Sequence, residues 1–476
     1  MKTNITADLC IIGAGSGGLS VAAGAAQLGL KTVLIERAEM GGDCLNTGCV
    51  PSKAFIAAAN RAHTHRKSDI NGITGHEPHI NFSNVKDHVF ETIKTIEPHD
   101  SQERFESLGV TVLRETARFI DKTTVQAGAQ TIKARYIIIA TGSHAAIPPI
   151  TGLQEDKVLT NETIFDLKKK PEHLIIIGGG PIGIEMAQAH RRLGCKVSIL
   201  DMASILPRDD QNNVEILRNS LREEDIKLYE NTSIQMIEHG EHHHHVTIIH
   251  NGHTEIIKGS HILVAAGRKP NIDKLELEKA EIAYAPHGIT VDTRLRTNIK
   301  NIYAIGDVCG GPQFTHVAGY HAGIIIRQIC FRMPAKTDYK ALPWVTYSDP
   351  ELAQVGLTEE AARKQYGDTI KVVEWSFHEN DRAIAGRTTN GQLRVTTTKR
   401  GRILGASMVG PNAGELINIW TLAISSNLKI GAITGMIAPY PTLGEINKRA
   451  AGAWYTPSLF SDKTRKIVKW LQKLPF

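Results

Sequence analysis

The chain has 476 residues, 41% of them hydrophobic and 22% charged, with a formal net charge of +6. That length carries about three domains of ordinary size, and so mild a charge gives no footing to a nucleic-acid-binding reading. The six cysteines, Cys10, Cys44, Cys49, Cys195, Cys309 and Cys330, are too sparse for a secreted disulfide scaffold.

The first element is an apolar strand at Leu9–Ile12. Preceded by Lys2, it has the look of a signal peptide, but the run is too brief and Gly13 breaks it. No stretch approaches the ~20 apolar residues of a membrane span, so a cytoplasmic protein is expected. Gly13, Gly15 and Gly18 then open a helix, and a second strand at Thr32–Ile35 ends on Glu36. Strand, glycine turn, helix and a closing acid about 20 residues on make a dinucleotide-binding fingerprint. The glycines let backbone approach a pyrophosphate, and the helix start offers it unpaired N–H groups.

The next segment, Gly41 to Lys53, holds Cys44 and Cys49 with four residues between them, close enough to meet across about one helical turn. A helix is expected from Pro51 to Ala62, and its start favours a thiolate. A plain stabilising disulfide would close too small a loop to add much. A zinc site lacks a second Cys or Cys-His pair. The other four cysteines are expected to be buried and inert.

A strand at Arg135–Ile139 leads to Ala140-Thr141-Gly142. A second fingerprint follows: a strand at Leu174–Ile177, then Gly178, Gly180 and Gly183, a helix from Glu185 to Leu193, and a strand from Lys196 to Leu200 that ends at Asp201. One such motif is weak evidence, but two complete copies imply two bound dinucleotides. His239, His242–His245, His250 and His253 read either as a metal site or as a surface hairpin. The lack of fixed ligand spacing favours the hairpin. The design of a strand ending in a glycine turn recurs at His261–Arg268, with Gly267, and at Asn301–Asp307, with Gly306. Residues 343–410 read as strands and hairpins and 411–436 as helical, with no further dinucleotide motif, which suits an assembly domain.

Gly41–Lys53 resembles the redox-disulfide motif of the class I pyridine-nucleotide disulfide oxidoreductases, which include dihydrolipoamide dehydrogenase, glutathione reductase and mercuric reductase. The two fingerprints, Ala140–Gly142, Ala265–Arg268, Tyr303–Asp307 and Pro343–Tyr347 match that family in order and spacing, so the resemblance spans essentially the whole chain. It implies a glutathione reductase-like α/β fold: two Rossmann-like dinucleotide-binding domains plus a C-terminal α+β dimerisation domain. The expected division is an FAD domain at 1–150, an NAD domain at 151–270, a central domain at 271–341 and an interface domain at 342–476, in a homodimer. The resemblance also implies that Gly13–Gly18 and Asp307 hold FAD, with Glu36 on its ribose. It makes Cys49 the thiolate beside the flavin, Cys44 the thiol that meets the acceptor, and Lys53–Glu185 an ion pair near the flavin. Asp201, with no Arg before Arg208, suits the free 2′-hydroxyl of NADH over the phosphate of NADPH.

One position departs from the family. Its disulfide-reducing members carry a His-Pro pair, with a Glu a few residues on, and that His shuttles protons across the dimer interface. Here Pro441 and Glu445 match, but Tyr440 replaces the His. Imidazole titrates near neutrality, whereas a phenol titrates near ~10 and is a poor base. An acceptor that needs no such base, a metal ion or a quinone, is the alternative to a disulfide, and a flavin-bearing scaffold without turnover is the rival outside catalysis. Mercuric reductases share the missing His, yet they carry a C-terminal cysteine pair, and this chain has no cysteine after Cys330. The tail from Lys463 to Leu474 has apolar residues at helical spacing among lysines. It is expected to pack on the dimer, with a membrane surface as the less favoured partner.

Overall fold

The computed structural model describes residues 3–475; Met1, Lys2 and Phe476 lie outside them, and with them the Lys2 considered for targeting. Strand Thr3–Ile12 lies at the centre of the first sheet, between parallel strands Thr32–Ile35 and Gln130–Ile139, with Thr111–Leu113 beyond the former. Ile302–Ala304 returns from far down the chain to pair with Gln130–Ile139. Helices and loops cover both faces, so these strands are apolar without alternation, and Leu9, Cys10, Ile11, Ile137, Ile138 and Ile139 are all 0% exposed.

The second unit repeats this plan. His173–Ile177 is flanked in parallel by Lys196–Leu200 and His261–Val264, with Lys227–Tyr229 at the edge. Helix Pro181–Arg192 starts on proline, whose missing N–H costs nothing at a helix start. The histidine-rich stretch forms strands Ser233–His239, His244–His250 and His253–Gly259 of a separate antiparallel sheet. There the Nδ1 atoms of His239 and His244 stand 3.0 Å apart. No group of three or more His, Cys, Asp or Glu among the described residues is arranged to hold a metal ion.

The C-terminal part is a five-stranded antiparallel sheet, in the order 343–346, 351–356, 403–410, 392–398, 370–376. Two helices, Glu359–Tyr366 and Asp381–Ala385, interrupt the stretch that the sequence assigns to strands and hairpins alone. Each starts on a side-chain cap, Thr358 to the Ala361 N–H and Asn380 to the Ala383 N–H, a local signal of helix entry. The tail forms helix Asp462–Leu471, and within this chain its Ile467, Val468, Trp470 and Leu471 are exposed. No helix among the described residues is long and apolar enough to cross a membrane.

One charged side chain ties the three parts together. Arg192 is 3% exposed and grips Glu224 with two bonds, Nε to Oε2 at 2.9 Å and Nη2 to Oε1 at 2.6 Å. It also donates to Asn60 on the helix that follows the cysteines and pairs with Asp349 of the C-terminal part at 3.0 Å. A buried guanidinium is stable only when its donors are satisfied in this way.

Candidate active site

The two fingerprints fold to the same plan. Helices Ser16–Gln27 and Pro181–Arg192 sit so close to their strands that a Cβ on Gly18 would lie 1.9 Å from the Gly13 carbonyl oxygen. A Cβ on Gly183 would lie 1.9 Å from that of Gly178. At Gly15 and Gly180, by contrast, a Cβ would meet nothing within 4 Å, so open space faces each helix start. The closing acids brace the turns. Glu36 accepts from the Ala14 N–H at 2.6 Å and the Ala38 N–H at 2.8 Å, and Asp201 accepts from Gly179 at 2.6 Å and Ala203 at 2.7 Å. Each is a carboxylate with lone pairs to spare for a ribose hydroxyl.

The cysteine segment docks on the first of these turns. The Gly41 N–H donates to the Ala14 carbonyl at 3.0 Å, and a Cβ on Gly42 would come within 2.7 Å of Gly15 Cα. Cys44 lies on the short helix Gly42–Asn46, and Cys49 is the first residue of the 18-residue helix Cys49–Arg66. The pair therefore meets across a helix-to-helix junction, not across one helical turn. Both are free thiols here, Cys44 half-buried and Cys49 exposed.

Their environments push the two thiols in opposite directions. Cys49 is drawn down to about 6, chiefly by a hydrogen bond from Cys44, with help from the Thr315 hydroxyl and the Lys53 charge. Cys44 is pushed up, by that same bond and by burial. Near neutral pH Cys49 is thus the thiolate of the pair and Cys44 the thiol. Thr315, whose Oγ1 stands 3.3 Å from Cys49 Sγ, opens helix Thr315–Ile329 and was not singled out by any sequence motif. Thr315→Val is expected to raise the Cys49 pKa by about 1 unit. Ultraviolet thiolate absorbance of the reduced protein should then appear at higher pH than in the wild type, and an unmoved titration would remove Thr315 from the site.

Lys53, one turn along the cysteine helix, meets Glu185 at 2.6 Å. Glu185 is 6% exposed and also accepts from the Tyr347 N–H at 3.0 Å, and the Lys53 ammonium lies 4.3 Å from the centre of the Tyr347 ring. This one pair joins the first unit, the second unit and the C-terminal sheet beside the thiols.

Gly142, Gly267 and Gly306 all lie just beyond strand ends, with φ of 67°, 125° and 71°. Thr141 and Asn271 exchange two bonds, Oγ1 to the Asn271 carbonyl at 2.7 Å and Asn271 Nδ2 back at 2.8 Å. Asp307 follows Gly306, is raised in pKa by burial, and accepts from the Ser143 hydroxyl at 2.6 Å. Arg268 lies between Asp307 at 3.7 Å and Asp43 at 3.2 Å, so the residue before Cys44 is tied to the Gly306–Asp307 turn. Buried Asn161 holds the other Asp43 oxygen at 2.8 Å.

Tyr440 and Glu445 do not join this network within the chain. Tyr440 is 67% exposed and donates to Asp381 Oδ2 at 2.8 Å, and Glu445 pairs with Arg449 at 2.9 Å. Of the remaining cysteines, Cys10 and Cys195 are buried as expected, and burial pushes each up to about 12. Cys309 and Cys330 are only half-buried.

The sequence matches the family described as pyridine nucleotide-disulphide oxidoreductase over residues 7–322, and that family's dimerisation domain over 342–451. The chain belongs to this family. A dihydrolipoyl dehydrogenase of Geobacillus stearothermophilus is 35% identical over 454 residues, which cover 94% of this chain and 96% of the relative. A mercuric reductase of Lysinibacillus sphaericus is 32% identical over 447 residues, 93% of this chain and 82% of that one. Among solved structures, the HOCl-induced flavoprotein disulfide reductase RclA from Escherichia coli superposes with a TM-score of 0.84 at 29% identity, covering 94% of this chain and 99% of that one. Its Cu(II) complex gives 0.85 at 28% identity over the same shares. The fold is thus glutathione reductase-like, and the chain is a flavoprotein disulfide oxidoreductase with a C-terminal dimerisation domain.

This family uses FAD with a pyridine nucleotide, and the residues suit both groups. The open space at Gly15 and Gly180, under a helix start and beside a braced acid, fits a pyrophosphate with its ribose.

Proposed function

We propose that this protein is an NADH-driven flavoprotein reductase that delivers electrons through the Cys44–Cys49 pair, and that it favours acceptors needing no proton shuttle. The observation that carries this reading is the pair of thiols of opposed acidity packed on the first nucleotide cradle, with Lys53–Glu185 beside them.

In this reading Gly13, Gly15, Gly18, Glu36, Thr141, Gly142, Gly306 and Asp307 hold FAD, while Gly178, Gly180, Gly183, Asp201 and Gly267 hold the nicotinamide dinucleotide. The division at residues 150, 270 and 341 separates FAD, NAD, central and interface domains. The flavin held there would supply two-electron chemistry between the nicotinamide and the disulfide. Lys53, fixed by Glu185, supplies a positive charge beside the thiols, where reduction adds negative charge. Cys49 is the thiolate of the pair in this reading, and Cys44 is the protonated thiol that meets the acceptor. The dimer is cytoplasmic in this reading.

Tyr440 decides the acceptor class. Lipoamide and oxidised glutathione need the protons of the thiol–disulfide exchange moved, and a phenol does that poorly near neutral pH. A metal ion takes up no proton, and a quinone takes its two protons from water. The mercuric reductase among the relatives and the Cu(II) complex of RclA favour the metal reading. The test is NADH oxidation by the purified holoenzyme with lipoamide, oxidised glutathione, a quinone, Cu(II) and Hg(II). Electrophile or metal turnover well above disulfide turnover is expected, and brisk lipoamide turnover would overturn the preference. The same assay is expected to give NADH a kcat/KM at least ~10-fold above that of NADPH, because Asp201 repels a 2′-phosphate. Equal constants would refute that choice.

A further inference from the structure

The dyad that the family builds from His and Glu has been rebuilt here from different parts. Glu445, the carboxylate at the family's position, is turned away into a pair with Arg449 one helical turn along. The Tyr440 hydroxyl donates instead to Asp381 at 2.8 Å, a residue 59 positions earlier on another element. That contact is held on both sides. Asn380, next to Asp381 and 3% exposed, caps helix Asp381–Ala385 with its Oδ1 and donates its Nδ2 to the Thr442 carbonyl at 3.1 Å. The start of the helix and the Tyr440 loop are therefore bolted together by a buried amide, with the exposed phenol–carboxylate pair presented outward.

A phenol that donates to a carboxylate has a defined remaining capacity. Its proton is engaged, and its oxygen keeps lone pairs that accept a hydrogen bond. The groups around the phenol are Asp381 on its own helix and Glu445 and Arg449 on helix Glu445–Ala453; the balance keeps the phenol protonated, with Asp381 the dominant cause. Tyr440 is thereby excluded as a free base and suited to a relay.

We propose that Asp381 is the positioning residue of a Tyr440–Asp381 proton relay that stands in for the family's His–Glu dyad. The relay rests on the reading that Tyr440 faces Cys44 of the partner subunit in the homodimer. When Cys44 becomes a thiolate, its proton passes to the phenol oxygen as the phenol proton passes to the Asp381 carboxylate, and both move back when the acceptor thiol is released. No phenolate forms and no electrons move in this step. A carboxylate is a weaker base than imidazole by about 2 to 3 pKa units, so a disulfide is reduced through this relay more slowly than through a His. The relay and the preference for other acceptors have the same origin.

The experiment measures NADH-driven reduction of lipoamide and of a quinone by the holoenzyme across pH 5.5–9, for the wild type, Tyr440→Phe, Asp381→Asn, Asp381→Glu and the Phe–Asn double variant. The readout is the ratio of lipoamide to quinone kcat, which a general loss of stability does not shift. Each single removal is expected to lower that ratio by about 10²-fold, with the double no lower than either single and Asp381→Glu recovering most of it. The wild-type ratio should show no inflection of the imidazole kind between pH 6 and 8. An Asp381→Asn ratio equal to wild type, or two losses that multiply in the double, overturns the relay. A wild type without lipoamide turnover that gains it on Tyr440→His overturns it as well. A wild type that oxidises NADH with neither acceptor overturns the functional reading beneath it, and the quinone arm alone reports that failure.

Discussion

Replacing Cys44 or Cys49 by serine is expected to lower NADH-driven turnover with every acceptor by at least ~10³-fold, and the two variants should fail in different ways. Removing a nucleophile outright typically costs this much or more. Cys44→Ser keeps a hydroxyl that can donate to Cys49, the bond that contributes most to its low pKa, so Cys49 should still titrate near its depressed value of about 6. Cys49→Ser removes the hydrogen bond and the charge that raise Cys44 and leaves burial opposing its ionisation, so no thiolate should appear near neutral pH. The other cysteines are poorly suited to substitute, since burial pushes Cys10, Cys195 and Cys309 up to about 12 and Cys330 upward as well. The measurement pairs turnover with ultraviolet titration of the reduced protein. Turnover above a tenth of wild type in both variants would mean that electrons leave the protein without the cysteine pair.

A single methyl group should separate the two nucleotide cradles with comparable force. Gly18→Ala puts a Cβ 1.9 Å from a backbone oxygen, a distance no packed structure tolerates, so helix Ser16–Gln27 must lift from its strand and lose its aim at the pyrophosphate. That variant is expected to purify with little or no flavin. Gly183→Ala meets the same 1.9 Å contact in the other unit. It should purify yellow and keep its dithiol chemistry with an artificial reductant, while its KM for NADH rises by about 10²-fold or more. Absorbance of the purified protein and NADH kinetics read both outcomes. Should both variants lose flavin alike, the assignment of one cradle to each dinucleotide falls.

These features were legible in the sequence because they are local. Fingerprint, turn and closing acid lie within about 25 residues, and the spacing of Cys44 and Cys49 is itself the signal. What the sequence hides is what a fold brings together over long separations. Thr315 reaches Cys49 across 266 residues, Asn161 reaches Asp43 across 118, and Asp381 reaches Tyr440 across 59. No periodicity announces such bonds, because a threonine or an asparagine in isolation looks like any surface residue. Glu445 shows the converse case. A matched position implied a role beside residue 440, but Arg449 at i+4 was also present in the sequence and takes the carboxylate. The helices Glu359–Tyr366 and Asp381–Ala385 were missed because they are short, and their caps, not their apolar pattern, define them.

The Arg192 knot bears on how this protein comes apart. Its guanidinium is held by a helix of the first unit, a carboxylate of the second and an aspartate of the C-terminal part. Pulling the first unit or the C-terminal part away from the second breaks the Asn60 or the Asp349 contact and leaves the guanidinium with fewer of the partners that satisfy it. Heated, a monomer so tied should not shed its parts in sequence but melt as one body, with a single calorimetric peak in place of a staircase. Cutting the knot at Arg192 would let the peak split, and the loosened parts would hang together like beads on a string.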